Sequence, residues 1–414
     1  KNAINYKSDY FEAYYNLGIV LNEKGDLNEA IKSFENSIKI NQNSPEIYYN
    51  LGNALQEIRD LEYSIKCYKK AISLNPNYGS AYTNLGHALK EKSGIDAAID
   101  CYKHAVNCTP QSDDFHYNLG VALKVKGDLN GAYDAHNKAL KINSNSHSSR
   151  CQKLFLEAQL CDWDSFLKDK HLFSTLGTEK IEIDPFAAII LEDSPERHKL
   201  RSQLYVKNNY NKNPLPLKLK NGNKKDRLRI GYFSADFHEH PVMYMIGQTF
   251  ELHNRDKFDI YAYSYGPPKN DPIRQQIKNT FTVFRDVRMM SDIEITKLAR
   301  RDQIDVAIDL TGYTQGGRTN IFAYRAAPVQ INYLGFPGTM GANFFDYIVA
   351  DKNLIPENSQ RYYYEKPIYL PNHYAAQNNS LTISKETPSR KELGIPEKAF
   401  VFCAINNSYK INSH

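Results

Sequence analysis

The hydrophobic and polar positions of the first 145 residues recur with a period of 34. The run Asn-Leu-Gly stands at residues 16–18, 50–52, 84–86 and 118–120. Leucine and ring-bearing positions keep the same phase, at Leu21, Leu55, Leu89, Leu123, Phe34, Tyr68, Tyr102 and His136. This pattern predicts two helices per repeat, with the glycine admitting close approach of the second helix and an aromatic ring filling the gap.

This period is similar to that of tetratricopeptide repeats, which we assign to residues 1–146. Ala3 lies in the phase of an earlier second helix, so we expect the chain to begin inside a longer solenoid. Asparagine is a mediocre helix former, yet it recurs at one position of all four repeats. We expect an amide ladder that binds the backbone of an extended acceptor peptide, formed by Asn16, Asn50, Asn84 and Asn118. The alternative is that each amide bonds only to the adjacent repeat.

Two connecting segments follow the repeats. Residues 147–206 lose the period and predict a helical connector, in which Asp162-Trp163-Asp164 is interpreted as a helix start rather than a metal motif. Residues 207–227 are rich in lysine, asparagine and proline and predict a basic, solvated linker. They carry too few aromatic residues for a nucleic-acid surface, so no nucleic-acid partner is expected.

From residue 228 short apolar runs alternate with helical patterns, which predicts an α/β, doubly wound parallel sheet. Helices are expected at residues 243–252, 292–301 and 319–325. Strands are expected at residues 228–234, 258–264, 280–284, 305–310, 329–334, 347–350, 368–370 and 399–405. We assign residues 228–385 to one Rossmann-like half and residues 386–414 to the start of a second, truncated half.

Four of the predicted strands are followed by polar or glycine-rich loops. The first carries Asp236, His238, Glu239 and His240 before Pro241. The others are residues 311–318, 335–341 and 406–410. Because ligands of such sheets bind beyond the carboxyl ends of the strands, these loops predict a cleft for a nucleotide-linked substrate. The chain has no Walker motif and no strict GxGxxG, which disfavours ATPases and dehydrogenases.

The composition also bears on where in the cell the protein works and on what it binds. The six cysteines show no metal-ligand spacing, and no apolar run is long enough to cross a membrane. We therefore expect a cytoplasmic protein with no membrane partner, no bound metal and no cofactor.

The chemistry-bearing motifs together resemble one family. They are Leu-Arg-Ile-Gly-Tyr-Phe-Ser-Ala-Asp-Phe-x-x-His-Pro, Asp-Leu-Thr-Gly-Tyr-Thr-x-Gly-x-Arg, Tyr-Leu-Gly-Phe-Pro-Gly-Thr-x-Gly and Asn-Asn-Ser-Tyr-Lys-Ile. Following tetratricopeptide repeats, they resemble the protein O-GlcNAc transferase family, which includes SPINDLY-like glycosyltransferases. The resemblance implies a GT-B fold and an inverting, metal-independent transfer of a sugar to Ser or Thr hydroxyls of proteins fed along the repeats. UDP-GlcNAc is the implied donor substrate.

The resemblance also implies site residues. His240 matches the catalytic-site histidine, either a general base or a positioner of the phosphate, and Lys410 matches the lysine that stabilises the departing diphosphate. The implied donor-binding residues are Pro241, Leu334, Gly335, Gly338, Thr339 and Asn407.

The chain departs from animal members at three places. It has Val242 where they have threonine, Asn407 where they have glutamine, and residues 184–186 where they carry a histidine. It also lacks their long insertion between the two halves, which indicates a bacterial-type member. The alternatives are a relative that transfers fucose or glucose, and a non-catalytic peptide-binding scaffold. We expect residues 1–414 alone to be inactive; oligomeric state and acceptor proteins stay open.

Overall fold

The computed structural model describes residues 9–210, 214–216, 227–376, 386–398 and 400. The chain divides into two compact units, one of residues 1–170 with 289–291 and one of residues 171–288 with 292–414. The predicted connector of residues 147–206 is thus shared between the units. Among the described residues, no helix has the length and apolar character needed to cross a membrane.

The first unit is helical, as the 34-residue period predicts. Its helices are α1 Phe11–Glu23, α2 Leu27–Ile40, α3 Pro45–Glu57, α4 Leu61–Leu74, α5 Gly79–Ser93, α6 Ile95–Cys108, α7 Asp113–Lys126, α8 Leu129–Ile142, α9 His147–Gln159 and α10 Trp163–Lys168. Asp162 caps α10 by accepting the Ser165 N–H at 3.1 Å, so the Asp-Trp-Asp run is a helix start.

Each repeat closes on the glycine of its first helix. A Cβ on Gly18 would lie 2.6 Å from the Phe34 ring, and one on Gly52 would lie 2.6 Å from the Tyr68 ring. These distances leave no room for a side chain, which confirms that the glycine sets the spacing of the helix pair.

The fourth repeat has a histidine where the others place an aromatic ring. His136 is fully buried, and neither of its ring nitrogens has a hydrogen-bond partner among the described residues. Burial, with a smaller contribution from Lys124, lowers the pKa of His136 to about 3. The folded repeat therefore holds His136 neutral over the range in which an unfolded histidine, with a pKa of about 6.5, takes up a proton.

The second unit begins with the short helix α11 Pro185–Ala188 and with α12 Pro195–Asn209. Arg201 of α12 is fully buried and donates to the backbone oxygens of Leu176 (2.9 Å) and Phe173 and to the Glu192 carboxylate (2.7 Å). A buried guanidinium with these partners fixes α12 to the segment before it, because its removal would leave buried acceptors unpaired.

The rest of this unit is a seven-stranded parallel sheet in the order β3-β2-β1-β4-β5-β6-β7. Its strands are β1 Leu228–Ser234, β2 Phe258–Ser264, β3 Val283–Asp286, β4 Val306–Asp309, β5 Val329–Asn332, β6 Tyr347–Ala350 and β7 Lys366–Tyr369. Its helices are α13 Pro241–Leu252, α14 Pro272–Thr280, α15 Asp292–Arg301 and α16 Asn320–Ala323. The α/β prediction is confirmed; the sequence missed α14 and placed β3 three residues early. The predicted strand 399–405 lies outside the described residues apart from Phe400.

Helices cover both faces of the sheet. The side chains of β1 point alternately to one face and to the other. Tyr232 points into a buried cluster with Ile246 and Phe250 of α13. Phe233, on the opposite face, packs against Phe322 of α16 with ring centroids 5.3 Å apart. The strand order reverses between β1 and β4, so the crevice where such sheets bind ligands opens at the carboxyl ends of these two strands.

The buried histidine gives a first prediction. The folded pKa of His136 lies below its unfolded value, so its contribution to stability is present above about pH 6.5 and declines below it by about 1.4 kcal/mol per pH unit. His136→Phe should flatten this acid loss relative to the parent, measured as melting temperature from pH 7 to pH 5. His104→Gln, at an exposed histidine, is the matched control and should leave the loss unchanged. If the melting temperatures of the parent and of His136→Phe fall equally between pH 7 and pH 5, His136 is not the source of the acid loss.

Candidate active site at the carboxyl ends of β1, β4 and β5

Three loops are joined at the strand-order reversal. The Thr311 hydroxyl after β4 accepts the N–H of Ala235 after β1 at 3.3 Å and the hydroxyl of Tyr265 after β2 at 3.2 Å. A Cβ on Gly266 would stand 1.7 Å from the Ala235 carbonyl oxygen, so only glycine allows the loops after β1 and β2 this approach.

His240 is held by the start of α13. It is the N-cap residue, its Nδ1 accepts the Val242 N–H at 3.3 Å, and Pro241 is the first helical residue. This bond needs an unprotonated Nδ1, so the neutral ring carries its proton on Nε2. With 37% of its side chain exposed, His240 presents that N–H as a hydrogen-bond donor at the crevice.

Asp236 lies behind the histidine. Its Oδ2 is 3.8 Å from Nδ1 of His240, and its side chain is 13% exposed. Burial raises the pKa of Asp236, while His240 and then Lys269 oppose the rise. The buried ring of His238 stacks on His240 with centroids 5.7 Å apart, and burial lowers its pKa. The loop therefore carries two histidines and two carboxylates, of which that of Asp236 has little water around it.

The loop after β5 contains a strained residue at the predicted donor site. Leu334 is buried and has a φ of 75°, while the Gly335 N–H donates to the Tyr333 carbonyl at 3.0 Å. These features describe a γ-turn with positive φ at its centre, which is rare for a side chain such as leucine. Strain of this kind concentrates at ligand-binding sites.

Gly335 brings this loop against the loop after β4. A Cβ at Gly335 would lie 2.2 Å from the Leu310 carbonyl oxygen and 2.8 Å from that of Thr311. Leu334 and Val242 belong to one buried cluster. The structure therefore brings the predicted residues His240, Pro241, Leu334 and Gly335 to one edge of the sheet.

Gly338 and Thr339 are placed differently. The buried Thr339 hydroxyl donates to the Glu365 carboxylate at 2.7 Å and accepts the Gly341 N–H at 3.1 Å. Gly338 and Thr339 line a cavity of about 200 Å³ whose other walls include Pro185, His198 and Tyr363. Their donor-binding role stays a prediction, and Thr339 has a clear part in holding the loop.

Lys410 and Asn407 lie outside the described residues, so their predicted roles stay predictions. Sequence reasoning missed Asp309 and Asn332, which are buried at the carboxyl ends of β4 and β5, and Glu365, which is buried just before β7. A charged residue inside an apolar strand, as in Ile308-Asp309-Leu310, was the available signal for the first of them.

In the first unit the amides of Asn50 and Asn84 bond to the preceding repeat. Nδ2 of Asn50 donates to the Tyr15 hydroxyl at 2.8 Å, and Nδ2 of Asn84 donates to the Tyr49 hydroxyl at 3.2 Å. Asn118 donates to the Asp114 carbonyl at 2.9 Å, and Asn16 is exposed. Contacts between repeats therefore account for part of the recurrence, and peptide binding stays a prediction.

Comparison with known proteins decides the family. Residues 201–381 match the model of glycosyl transferase family 41, and residues 20–58, 45–78, 67–100 and 88–127 match tetratricopeptide repeat models. Residues 201–381 belong to glycosyl transferase family 41, and the chain is similar to O-GlcNAc transferases.

Relatives of this family share parts of the chain. It is 39% identical over 203 residues to the probable UDP-N-acetylglucosamine–peptide N-acetylglucosaminyltransferase SEC of Arabidopsis thaliana, covering 48% of this chain and 21% of that protein. It is 34% identical over 146 residues to the UDP-N-acetylglucosamine–peptide N-acetylglucosaminyltransferase of Caenorhabditis elegans, covering 35% and 13%. The match thus spans about a fifth or less of these relatives.

A solved structure of an O-GlcNAc transferase has a fold similar to that of this chain. A mutant of the Thermobaculum terrenum O-GlcNAc transferase superposes with a TM-score of 0.51 and 24% identity, covering 80% of this chain and 58% of that one. Helical repeats followed by a parallel α/β sheet are therefore the architecture of both chains.

The close approach at Gly335 gives a second prediction. Gly335→Ala should lower the melting temperature by several degrees, because the new methyl meets two carbonyl oxygens at positions that allow no side-chain adjustment. Gly247→Ala is the matched control, since a Cβ there meets nothing within 4 Å and lies inside α13. It should hold or raise the melting temperature. Similar melting temperatures for the two variants would show that the β5 loop can move aside.

Proposed function

We propose that the protein transfers GlcNAc from UDP-GlcNAc to Ser or Thr hydroxyls of proteins bound by its repeats. The observation that carries the proposal is the placement of His240 at the strand-order reversal, beside the strained Leu334 turn. The glycosyl transferase family 41 match supports the reaction class, and the Arabidopsis and Caenorhabditis relatives, which are named for UDP-N-acetylglucosamine, support the donor. A transfer of fucose or glucose would use the same edge.

In the proposed reaction the acceptor oxygen attacks the anomeric carbon with inversion, the bond from that carbon to the diphosphate breaks, and the hydroxyl proton passes to the departing diphosphate. Negative charge develops on the leaving phosphate, so donors placed there stabilise the transition state. The Nε2–H of His240 is such a donor, which favours a phosphate-positioning role over general-base action. Lys410 supplies a cation to the same phosphate in this proposal, and no step uses a metal.

The role of His240 gives a third prediction, tested by peptide glycosylation with the natural protein. His240→Ala removes both the cap and the donor, and should lower kcat/KM by about 10²-fold or more. His240→Asn keeps a good N-cap and supplies an amide N–H, so it should retain clearly more activity. If both variants are equally inactive while their folds are intact, the general-base role is favoured instead.

We extend the proposal to the repeats, which we infer to hold the acceptor as an extended polypeptide. The four asparagines lie on the first helix of each repeat, and their amides offer hydrogen bonds to any peptide backbone without reading its sequence. We infer a cytoplasmic setting as well, since the described cysteines form no disulfide with one another.

A fourth prediction separates peptide binding from contacts between repeats. Replacing Asn16, Asn50, Asn84 and Asn118 by Ala should weaken modification of protein acceptors and spare hydrolysis of the free donor. The matched control is Tyr15→Phe with Tyr49→Phe, which removes the hydroxyls that two of the amides bond and keeps the amides. If the control loses as much acceptor modification as the asparagine variant, the amides only stabilise the solenoid.

A further inference from the structure

Two buried oxygen atoms at the candidate site lack hydrogen-bond partners among the described residues. They are Oδ2 of Asp309 and Oδ1 of Asn332. Asp309 ends β4 and is 1% exposed, and Asn332 ends β5 and is 0% exposed. A buried acceptor without a donor destabilises the fold, so two of them on paired residues need an explanation.

The two side chains are neighbours on one face of the sheet. Asp309 and Asn332 are register partners of adjacent parallel strands, and paired residues point to the same side. Both also surround Gly312: its N–H donates to Oδ1 of Asp309 at 3.1 Å, and Oδ1 of Asn332 lies 3.6 Å from the position of a Cβ there. Nδ2 of Asn332 donates to the Phe336 carbonyl at 2.9 Å, which directs its oxygen away from that bond.

A comparison within the sheet shows what is missing at Asp309. Asp351 follows β6 and has the same turn: its Oδ1 accepts the N–H groups of residues two and three positions ahead, Asn353 and Leu354, both at 2.8 Å. Oδ1 of Asp309 does the same with Thr311 and Gly312. Oδ2 of Asp351, however, accepts the Tyr374 N–H at 2.8 Å, whereas Oδ2 of Asp309 accepts nothing from the described residues.

The electrostatic surroundings agree with this difference. The Leu354, Tyr374 and Asn353 N–H groups hold the pKa of Asp351 below its ordinary value. Burial raises the pKa of Asp309 to about 6. The hydrogen bonds from the Thr311 and Gly312 N–H groups lower this pKa, and the charge of Asp236 raises it. A bond from a carboxyl O–H to an amide oxygen favours the neutral form further.

The other ionisable groups that face Asp309 are tyrosines. They are Tyr265 after β2, Tyr313 after β4 and Tyr210 after α12, and burial raises the pKa of each. All three are therefore neutral in the physiological range. Asp236 is then the facing group that can repel a charge on Asp309, and two carboxylates that face each other resist ionising together.

We propose that Asp309 takes up a proton in the folded protein at a pH where ordinary aspartates are still ionised, and that its carboxyl O–H then donates to Oδ1 of Asn332. One bond then satisfies both unpaired oxygens and joins the loops after β4 and β5. Asp309 is thus a positioning residue for the Thr311 and Leu334 turns. The link to donor binding rests on the proposed function, and the bond itself does not.

Infrared difference spectroscopy tests the proton without any activity assay. The chain labelled with ¹³C-aspartate should show at pH 5.5 the carbonyl band of a neutral carboxylic acid, and Asp309→Asn should abolish it. Asp351→Asn is the matched control and should leave the band in place. Aspartate labelling excludes the buried Glu365, whose pKa is also raised by burial. Absence of the band from the parent, or its persistence in Asp309→Asn, would overturn the proposal.

The pH dependence of unfolding gives a second measurement. A carboxyl whose folded pKa is raised contributes stability that is lost as pH rises from its unfolded value, about 3.9, to its folded value. The unfolding constant of the parent relative to Asp309→Asn should therefore grow by close to tenfold per pH unit around pH 5 and level off above about pH 6. A ratio that is flat from pH 4.5 to pH 6 would mean an ionised Asp309 and would overturn the proposal, whether or not the protein is a transferase.

Discussion

The candidate site depends on one shared hydroxyl, that of Thr311. It accepts hydrogen bonds from the loops after β1 and β2, and the carbonyl of the same residue lies against Gly335 after β5. These loops follow strands on both sides of the strand-order reversal, and they are far apart along the sequence. Thr311 and the two glycines of close approach, Gly266 and Gly335, supply that constraint through space.

This constraint explains how a short histidine loop can be placed accurately. His240 is fixed by its cap on α13, and the β1 loop that carries it is tied to the β4 loop through Ala235 and Thr311. Positioning of this kind matters because errors near 1 Å cost about 10²-fold in rate. The strained Leu334 turn fits the same view, since its backbone geometry is maintained by the packed surroundings rather than by local preference.

Much of this arrangement could be predicted from the sequence, because its strongest signals are periodic or local. The 34-residue period predicted the helix pairs, and Leu228–Ser234 with Pro241 predicted a strand and a helix start around His240. Other features depend on contacts between distant residues. Thr339 is bonded to Glu365, 26 positions away, and the unpaired oxygens of Asp309 and Asn332 exist only because β4 and β5 pair. Helix α14 was missed because its residues are mostly polar and only Ile277 is buried.

The central claim is that this protein is a sugar transferase acting on protein hydroxyls, with GlcNAc as its sugar. The most direct measurement is mass spectrometry of acceptor proteins incubated with the natural protein and an equimolar mixture of UDP-GlcNAc, UDP-glucose and GDP-fucose. The account predicts Ser- or Thr-linked N-acetylhexosamine as the main product, lost when His240 is replaced by Ala. Acceptors that stay unmodified by all three donors, or a product that is only fucose or glucose, would contradict it.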